Sequence, residues 1–408
     1  MQSTITWISN LPWKGIRAVA LAFFATRLVL AAVIYVSMVE LPVREGQGLW
    51  RSMPGNLLID GLVRWDSGFY LDIARMGYTG FPTPSATVFL PVYPALVWLA
   101  SQLTGELVVA GLLVSNLAFL AALGFLYAFA RLEYDEDTAS RAVFYLAASP
   151  TAFFCSAYYT ESSFLLFVLA AFYFARKQNW LLAGLSGMLA AVTRNTGILI
   201  APYLALEGFW LNGGKWLAAP FGWHAQWALF KYSLLTWIKT WRALLAAALS
   251  TVGLAVYMLY LKVTFNDPLA FIYQHTNWQR NFSLNFMRLL YHDLRRMVNI
   301  QGDLWAGSML DINALQDVVA AALFGILVLL VLWKMRPSLA FYTLATFAMP
   351  LLTGRFYSMR RFVLMLIPCF LLLALCGKRP WVDRLILIIF LPLQAYLAIL
   401  FAHWIFAG

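Results

Sequence analysis

Charged residues are scarce in this sequence. Asp, Glu, Lys and Arg make up only 12% of the 408 residues, and hydrophobic residues make up 62%. Average soluble domains have about 25% and about 45–50%, respectively. So little charge cannot cover a globule of this size with a water-facing surface, which excludes a soluble enzyme, a disordered chain and a nucleic-acid-binding domain. The composition predicts an integral membrane protein, and its continuous apolar runs favour helices over a β-barrel.

Cysteine and histidine are also few. The three cysteines lie inside apolar runs without a C-x-x-C partner, and the four histidines show no metal-ligand spacing. These residues therefore predict no disulfide framework, no thiol chemistry and no histidine or cysteine metal site.

Eleven clear apolar runs extend along the chain. They are Ala18–Val39, Leu107–Ala130, Ala142–Ala157, Ser162–Ala175, Trp180–Val192, Gly197–Phe209, Ala243–Leu261, Ala314–Trp333, Ser338–Leu352, Phe362–Cys376 and Leu385–Trp404. Because a helix needs about 17–25 residues to cross the hydrocarbon core, the shorter runs predict tilted or broken helices. We predict an all-α polytopic membrane protein whose residues 1–408 form a single transmembrane domain.

The distribution of lysine orients these runs. A twelfth apolar run, Val88–Leu103, has two prolines in its first turns, so it either crosses the membrane or lies at its surface. If it does not cross, every lysine except Lys262 falls on the side of the N-terminus, which matches the cytoplasmic excess of positive charge. This choice predicts eleven spans, an N-terminus in the cytoplasm and two long extracytoplasmic loops, 40–106 and 262–313.

The densest polar cluster, Arg64-Trp65-Asp66-Ser67-Gly68, lies in the first outer loop. Asp66 stands between an aromatic residue and a small-residue turn, where a carboxylate can accept a proton from a hydroxyl group at the membrane surface. The alternative is a helix N-cap, because Asp before Ser-Gly and an apolar stretch commonly starts a helix. The residues by themselves favour the cap and leave the catalytic role open.

A second cluster ends at Glu161, in Tyr158-Tyr159-Thr160-Glu161. A carboxylate at the edge of the hydrocarbon is costly and usually faces a cavity or a charged partner. Glu161 can also be a helix cap at the interface, beside tyrosines of the aromatic belt. Both interpretations stay open.

Arginines form two further sites on the outer side. One is Arg194 in Thr193-Arg194-Asn195-Thr196-Gly197, and the other contains Arg355, Arg360 and Arg361. Guanidinium groups bind phosphate oxygens through two parallel hydrogen bonds. Contact with lipid headgroups is the alternative. Together with an outer carboxylate, the two sites favour an anionic ligand that lies in the membrane with its phosphate at the outer face.

Two other groups of polar residues have no assigned role. Arg27 lies near the middle of the first span, where a charge is either functional or paired with a helix-end carbonyl. Residues of the second outer loop can line a sugar site, but aromatic residues are also common at the membrane interface, and the interfacial interpretation is favoured. These residues are His275, Trp278, Arg280 and His292.

Four segments resemble, in order, motifs of the PIG-V-type mannosyltransferases. Trp65-Asp66 with Phe69, Ile73-Ala74 and Gly77-Tyr78 resembles "HWD…F…IA…GY", and Phe89-Leu90-Pro91-Val92-Tyr93-Pro94 resembles "FFPLYP". Ser149-Pro150 through Tyr158-Tyr159-Thr160-Glu161 resembles "SPA…F…SA-YSE", and Thr193-Arg194-Asn195-Thr196-Gly197 resembles "RSNG". Arg64, Thr160 and Thr196 depart from the family pattern, which leaves the acceptor open.

The resemblance implies a GT-C-type bundle and a glycosyltransferase that takes a sugar, typically mannose, from polyprenyl- or dolichyl-phosphate. It implies inverting transfer to a glycolipid or glycan on the extracytoplasmic face of a bacterial plasma membrane or an ER membrane. By that analogy Asp66 is the catalytic base, and we expect Arg194, Arg360 and Arg361 to bind the donor phosphate. The supporting site residues are Arg64, Trp65, Tyr93, Tyr159, Glu161 and Asn195.

This scheme requires no cofactor, because arginines stabilise the leaving phosphate. Asp66 and Glu161 can hold a divalent metal, but their spacing does not indicate one. The alternative function is a transporter or flippase of a lipid-linked anionic glycan, which needs ionisable residues at mid-depth of the membrane. A third hypothesis is a non-catalytic subunit of a larger transferase. The transferase hypothesis predicts that Asp66, Glu161, Arg194 and Arg360 converge on one outer cavity.

Overall fold

The computed structural model describes residues 13–46, 49–81, 83–214, 234–278, 283, 285–291 and 312–407. Part of the predicted second outer loop, 262–313, lies outside these residues. Throughout the described ranges the secondary structure is helical and contains no strands, which confirms the all-α prediction.

Helices and short 3₁₀ turns follow one another along the described chain. The helices of its first half are α1 (Trp13–Glu40), α2 (Leu57–Gly61), α3 (Ser67–Met76), α4 (Val92–Thr104), α5 (Leu107–Glu133), α6 (Glu136–Ala148), α7 (Glu161–Arg176), α8 (Trp180–Ala191) and α9 (Ile200–Leu211). Those of its second half are α10 (Trp241–Phe265), α11 (Ala270–Tyr273), α12 (Ile312–Lys334), α13 (Pro337–Leu351), α14 (Met359–Phe362), α15 (Ile367–Cys376) and α16 (Pro380–Ala402). The 3₁₀ turns are Tyr78–Gly80, Pro84–Val88, Ala152–Cys155, Asn195–Leu199, Gln274–Trp278 and Val363–Met365. Further helical turns lie at 234–239 and 286–291.

Local sequence signals set several helix ends. Asp135 caps α6, since its Oδ1 accepts a hydrogen bond from the Thr138 N–H at 2.7 Å, and Asn179 caps α8 in the same way through the Leu182 N–H. Gly105 ends α4 in the left-handed conformation, at φ +73°, which glycine adopts without a Cβ clash. Short polar segments therefore begin and end the apolar helices.

Five helices, α1, α5, α10, α12 and α16, are each long and apolar enough to cross a membrane. A sixth span results if Met359–Met365 and α15, which meet at 79°, cross as one broken helix. The chain is therefore a multi-pass membrane protein. Each of the eleven apolar runs contains a helix, but α6, α7, α8, α9 and α13 have only 12–16 residues. The count of eleven spans accordingly stays a prediction.

The twelfth apolar run, Val88–Leu103, forms the end of a 3₁₀ turn and most of α4. The 13 residues of α4 extend about 20 Å at about 1.5 Å per residue, whereas the hydrocarbon core is about 30 Å thick. The helix packs against α5. At this length α4 is no shorter than α6, α8 and α9, which lie in predicted spans. Its position across the membrane or at the surface therefore stays a prediction.

Aromatic side chains fill the centre of the bundle. Phe172 of α7 packs against Phe129 of α5, Tyr203 of α9 and Tyr342 of α13, with ring centroids 5.6, 4.2 and 4.9 Å apart. All four rings are buried. Because lipid is as apolar as these side chains, close packing rather than exclusion of water holds the helices together. The packing places α7, which begins at Glu161, in the middle of the protein.

Charged residues tie the far end of α7 to its neighbours. Arg176 Nε lies 2.8 Å from Glu133 Oε1. Arg336 lies 2.5 Å from Glu133 and 2.7 Å from Glu207, and Ser338 also donates to Glu207. These residues come from α5, α7, α9 and the start of α13. We name Glu133, Arg176, Glu207 and Arg336 the distal ion cluster. Removing one member destabilises the protein, because it leaves a buried charge without its partner.

Arg27, in the middle of α1, binds backbone carbonyls. Its Nη1 and Nη2 donate to the carbonyl oxygens of Ala152 and Ala147 at 2.8 and 2.9 Å, and Nη1 also lies 3.2 Å from Ser156 Oγ. These carbonyls belong to the end of α6 and the 3₁₀ turn after it, where the helix itself supplies no partner. Pairing with helix-end carbonyls, one of the two interpretations of Arg27, is confirmed.

Candidate active site

Asp66 precedes α3 at the position of a helix N-cap. Its side chain makes no capping hydrogen bond, because Oδ2 instead accepts from Arg361 Nη1 at 3.0 Å. The carboxylate is 29% exposed. Within the described residues, Oδ1 has no protein partner. The N-cap interpretation is therefore right about the position and wrong about the hydrogen bond, which leaves the carboxylate available for chemistry.

The backbone around Asp66 is held by Tyr159. Trp65 has φ +55°, in the left-handed region that costs a non-glycine residue on the order of 1–2 kcal/mol. The buried Tyr159 hydroxyl donates to the Arg64 carbonyl oxygen at 3.1 Å and accepts from the Asp66 N–H at 3.2 Å. These two bonds offset the strain and set the direction of the Asp66 side chain.

Glu161 is the first residue of α7 and is fully buried. Its Oε1 accepts a hydrogen bond from Arg194 Nη1 at 2.6 Å and another from Arg361 Nε. The start of a helix favours negative charge, which lowers the cost of burying this carboxylate. Both sequence interpretations of Glu161 apply together, since it begins a helix and also meets charged partners.

Arg361 connects the two carboxylates. Its Nη1 binds Asp66 and its Nε binds Glu161, and the guanidinium lies 4.8 and 4.6 Å from the ring centroids of Phe154 and Tyr159. A guanidinium group has five N–H donors, so donors of Arg361 remain for an anion. We name Asp66, Glu161, Arg194 and Arg361 the charge cluster; its two acids and two bases balance.

A cavity of about 330 Å³ lies beside the charge cluster. We name it the polar cavity. Asp66, Arg194 and Arg361 line it, and Glu161 lies behind them. Much of the remaining wall is aromatic: Trp65, Tyr70, Phe89, Tyr159, Tyr357 and Phe406. The arrangement therefore places a carboxylate and two guanidinium groups on one aromatic-walled space.

A second cavity, of about 510 Å³, adjoins the first. The two share Asn195, Thr196, His275 and Phe362. The rest of its wall is almost entirely apolar and includes Ile198, Leu254, Phe271, Met349 and Leu352. We name it the apolar cavity. A polar space that continues into an apolar one suits an amphiphilic ligand.

Three buried polar atoms on the wall of the polar cavity have no hydrogen-bond partner among the described residues: Trp65 Nε1, Asn195 Oδ1 and Thr196 Oγ1. A buried polar atom without a partner costs about 1–3 kcal/mol. The three supply a donor, an acceptor and a hydroxyl group that is both. A ligand with several hydroxyl groups would satisfy all of them.

Asn195 and Tyr93 have different positions relative to the polar cavity. Asn195 lines it, and its Nδ2 lies 2.6 Å from His275 Nε2. Tyr93 lies behind the wall, where its hydroxyl donates to the Gly111 carbonyl oxygen at 3.1 Å. The Tyr93 ring stands edge-on to Tyr70, with centroids 5.5 Å apart. Tyr93 thus supports a lining residue and does not itself line the cavity.

Arg64, a predicted supporting residue, turns away from the polar cavity. It is fully buried. Its Nη2 lies 2.7 Å from Asp60 Oδ2, and its Nε donates to the Ala402 carbonyl oxygen at 3.0 Å. Burial raises the pKa of Asp60, but hydrogen bonds from Arg64 and Arg51 outweigh this effect and lower the pKa overall. Arg64 therefore holds the first outer loop against α16.

Arg360, predicted to bind the donor phosphate beside Arg361, does not line the polar cavity. Its Nε lies 3.5 Å from Asp317 Oδ1, and it also donates to the Gln316 side chain. Successive residues of a helix point about 100° apart, so only one of two neighbouring arginines faces the cavity. The expected convergence is found for Asp66, Glu161 and Arg194, with Arg361 in the place of Arg360.

Several lining residues were not among the predicted site residues, and Tyr70, His275 and Phe406 are three of them. Tyr70 follows Asp66 by four residues, a helical spacing that signals a shared face. His275 lines the cavity, where its ring meets Asn195; its interfacial position stays a prediction. Phe406 carries no sequence signal. The Trp278 side chain, Arg280 and His292 lie outside the described residues.

The charge cluster does not fit a divalent metal. The described residues contain no group of three or more His, Cys, Asp or Glu side chains that could hold an ion. The two carboxylates considered for a metal, Asp66 and Glu161, are joined by the guanidinium of Arg361. A cation between them would meet a positive charge already in place.

Residues 84–237 match the family model of the dolichyl-phosphate-mannose-protein mannosyltransferases. The matched segment contains Glu161, Arg194 and Asn195, and it leaves out Asp66 and Arg361. It covers less than half of the chain. The resemblance to PIG-V-type enzymes stays a prediction.

The whole chain is similar to solved oligosaccharyltransferase structures from Archaeoglobus fulgidus. The apo crystal structure aligns with a TM-score of 0.47 and 15% identity, over 99% of this chain and 57% of that one. A complex with an inhibitory peptide and a dolichol-phosphate aligns with a TM-score of 0.41 and 15% identity, over 94% and 56%. This chain thus spans little more than half the length of those proteins. No curated protein sequence matches it.

Proposed function

We propose that this protein is a membrane glycosyltransferase with a lipid-linked donor. In its finer form, the proposal is that it moves a mannosyl or similar hexosyl or pentosyl unit from polyprenyl- or dolichyl-phosphate to a hydroxyl of a lipid-linked or glycan acceptor. The observation that carries it is the charge cluster beside a polar cavity that adjoins an apolar one. The match of residues 84–237 to a family of dolichyl-phosphate-mannose enzymes supports the same class.

The donor phosphate binds to Arg194 and Arg361. Both line the polar cavity, and both are oriented by the buried Glu161. Fixed guanidinium groups stabilise the negative charge that develops on a leaving phosphate without any reorganisation during the reaction. The prenyl chain extends into the apolar cavity, which begins at Asn195 and His275. The sugar then lies among Trp65 Nε1 and the other buried polar atoms that lack a partner.

Asp66 is the general base. Its Oδ2 is held by Arg361, which leaves Oδ1 to accept the proton of the acceptor hydroxyl. The acceptor oxygen forms a bond to the anomeric carbon while the bond from that carbon to the phosphate oxygen breaks, and the lipid phosphate leaves with the electron pair. Attack opposite the leaving phosphate inverts the anomeric centre.

The reaction takes place on the extracytoplasmic face of a bacterial plasma membrane or an ER membrane. The charge cluster lies at the beginning of α7, and Lys177 follows the end of the same helix. Lys334 likewise lies beside Arg336 of the distal ion cluster. Lysine-containing ends of spans are typically cytoplasmic, which supports an extracytoplasmic position of the charge cluster.

The direct test is a transfer assay with purified protein, polyprenyl-phosphate mannose and a panel of glycolipid acceptors. Asp66→Asn should lower kcat by about 10²–10⁴-fold, the usual contribution of a general base, while the protein still folds. Asp72→Asn is the matched control, because it alters a carboxylate on the same helix that does not line the polar cavity. Native rates in Asp66→Asn would overturn the role of Asp66, and no transfer from any polyprenyl-phosphate sugar would overturn the donor class.

A transporter or flippase, the alternative, requires ionisable groups along a path through the membrane. The sequence offers two mid-span candidates, Arg27 and Asp317. Arg27 is bound to carbonyl oxygens of α6 and its following turn, and Asp317 accepts hydrogen bonds from the Ser358 and Arg360 N–H groups. No observation therefore favours transport. Counter-flow of labelled lipid-linked sugar in vesicles, undiminished in Asp66→Asn, would reverse this judgement.

A further inference from the structure

The helix that carries Arg361 cannot orient itself. α14 has four residues, whereas isolated helices shorter than about 12–15 residues are marginal in water. It follows a turn in which Gly354 and Ser358 have φ +73° and +66°. Ser358 occupies the N-cap position, but its side chain makes no capping hydrogen bond. The direction of Arg361 must therefore come from other parts of the chain.

Asp317 of α12 supplies the missing cap. Its Oδ2 accepts a hydrogen bond from the Ser358 N–H at 2.9 Å, and its Oδ1 accepts from the Arg360 N–H at 3.0 Å. The Asp317 side chain is 2% exposed. A carboxylate at this place satisfies the free N–H groups of the first turn and interacts with the positive end of the helix. One side chain from a distant helix thus holds the start of α14.

Arg360 makes further contacts that hold α14 in place. Its guanidinium lies near Asp317 and donates to the Phe406 carbonyl oxygen at 3.3 Å. Its own carbonyl oxygen accepts from Thr151 Oγ1 at 2.9 Å. Phe406 stands edge-on to Trp65, with ring centroids 5.6 Å apart. The contacts of Arg360 therefore join α14 to Phe406, which lines the polar cavity, and to Thr151.

We propose that Asp317, with Arg360 as its charge partner, is a positioning residue that sets the place of Arg361 in the polar cavity. Asp317 does not line that cavity, so it acts through the backbone of α14. The proposal rests on the proposed function in one respect, namely that Arg361 binds the donor phosphate.

The test is a double-mutant cycle on the binding of a long-chain polyprenyl phosphate to the purified full-length protein. Arg361→Gln should weaken binding by about tenfold or more, as loss of a charged hydrogen bond does. Asp317→Asn, whose Nδ2 cannot accept an N–H, should weaken it by about fivefold. In the Arg361→Gln background, Asp317→Asn should change binding less than about twofold, because residues that act through one contact are not additive.

The matched control is Asp383→Asn on α16, since Asp383 accepts a hydrogen bond from the Tyr145 hydroxyl at 2.6 Å and does not line the polar cavity. It should bind at native affinity. Native affinity in Asp317→Asn, or fully additive losses in the double variant, would overturn the proposal. If Asp317→Asn does not fold, Arg360→Gln removes the other half of the unit and should show the same lack of additivity.

A second measurement does not depend on substrate. The rate at which phenylglyoxal modifies Arg361, followed by mass spectrometry of the peptide, should rise several-fold in Asp317→Asn, while Arg194 reacts at its native rate. An unchanged rate at Arg361 would refute the positioning role. Absence of polyprenyl phosphate binding in the native protein, with the expected change in modification, would refute the proposed function alone.

Discussion

The guanidinium of Arg361 lies 3.0 Å from Oδ2 of Asp66, although 295 positions separate the two residues in the sequence. The same guanidinium also binds the buried Glu161. The second half of the chain thus supplies a cation that pairs with two carboxylates of the first half. Because a buried charge without its partner is strongly destabilising, a change in any of these groups affects the others.

Replacing Arg361 by lysine tests whether geometry matters beyond charge. The ammonium of lysine cannot direct separate N–H groups at Asp66, Glu161 and a phosphate, as the guanidinium fork does. We expect kcat/KM for sugar transfer to fall about tenfold to a hundredfold, which corresponds to about 1.5–3 kcal/mol for one charged hydrogen bond. Steady-state kinetics with polyprenyl-phosphate mannose measure this. Arg355→Lys, in the turn before α14 and outside the cavity wall, should stay within about twofold. Equal losses in the two variants would contradict the expectation.

Filling the apolar cavity should discriminate donors by chain length. Met349 lies in its wall, so Met349→Trp removes space that only a long prenyl chain needs. We expect KM for a long-chain donor to rise about tenfold, since about 1.4 kcal/mol of lost contact is a factor of ten, and KM for a short-chain donor to stay near the native value. Val256→Trp is the control, because Val256 lines a separate cavity of about 700 Å³. A similar rise for both chain lengths would place the prenyl chain elsewhere.

The distal ion cluster should stabilise the fold without contributing to the reaction. Arg336→Met leaves Glu133 and Glu207 without this cation, and we expect the free energy of unfolding to fall by about 3–5 kcal/mol. Combining it with Glu207→Gln should restore much of the loss, because Glu133 keeps Arg176 as its cation and no uncompensated carboxylate remains. Thermal unfolding in detergent measures both variants. Transfer by the folded fraction should keep its native kcat; a lower kcat at unchanged stability would link this cluster to the reaction.

Asp60 should make stability depend on pH. Burial raises its pKa, but the hydrogen bonds from Arg64 and Arg51 lower it more, so the pKa in the folded protein is below the ordinary value of 3.8. A lowered folded pKa means that the ionised carboxylate stabilises the protein above about pH 4, and that this contribution is lost as the pH falls toward the folded pKa. Asp60→Asn should therefore unfold at a lower temperature than the native protein at neutral pH.

The difference in unfolding temperature between native protein and Asp60→Asn should shrink as the pH falls below about 4. Asp137→Asn is the control, because its side chain is 70% exposed and, among the described residues, pairs with Lys14 at the surface. Such exposed pairs contribute about 0–1 kcal/mol, so that variant should unfold like the native protein at every pH. A constant difference for Asp60→Asn would show that the carboxylate charge is not what stabilises the loop.

The amino-acid sequence by itself determined the helical membrane architecture, and it singled out all four residues of the charge cluster together with Arg360, which lies outside the cluster. Long apolar runs can only satisfy their backbone groups in lipid as helices, and each of the five long spans contains most of one of those runs. Asp66, Glu161 and Arg194 were recognisable because a charge beside hydrocarbon is energetically costly. Such a charge therefore indicates a charged partner, a cavity or a function. The same argument singled out Arg27, although it could not choose between function and a carbonyl partner.

Only the tertiary structure decided which arginines meet the carboxylates. Arg360 and Arg361 are identical in type and adjacent, and helix phase turns one toward Asp317 and the other toward Asp66. Arg64 precedes Trp65-Asp66 in the motif, yet it is directed to Asp60. His275 and Phe406 join the wall from segments far away in the chain. Periodicity and composition describe one helix at a time. A cavity is formed by several helices, and its shape depends on how they rotate and approach each other. That arrangement depends on contacts between residues hundreds of positions apart.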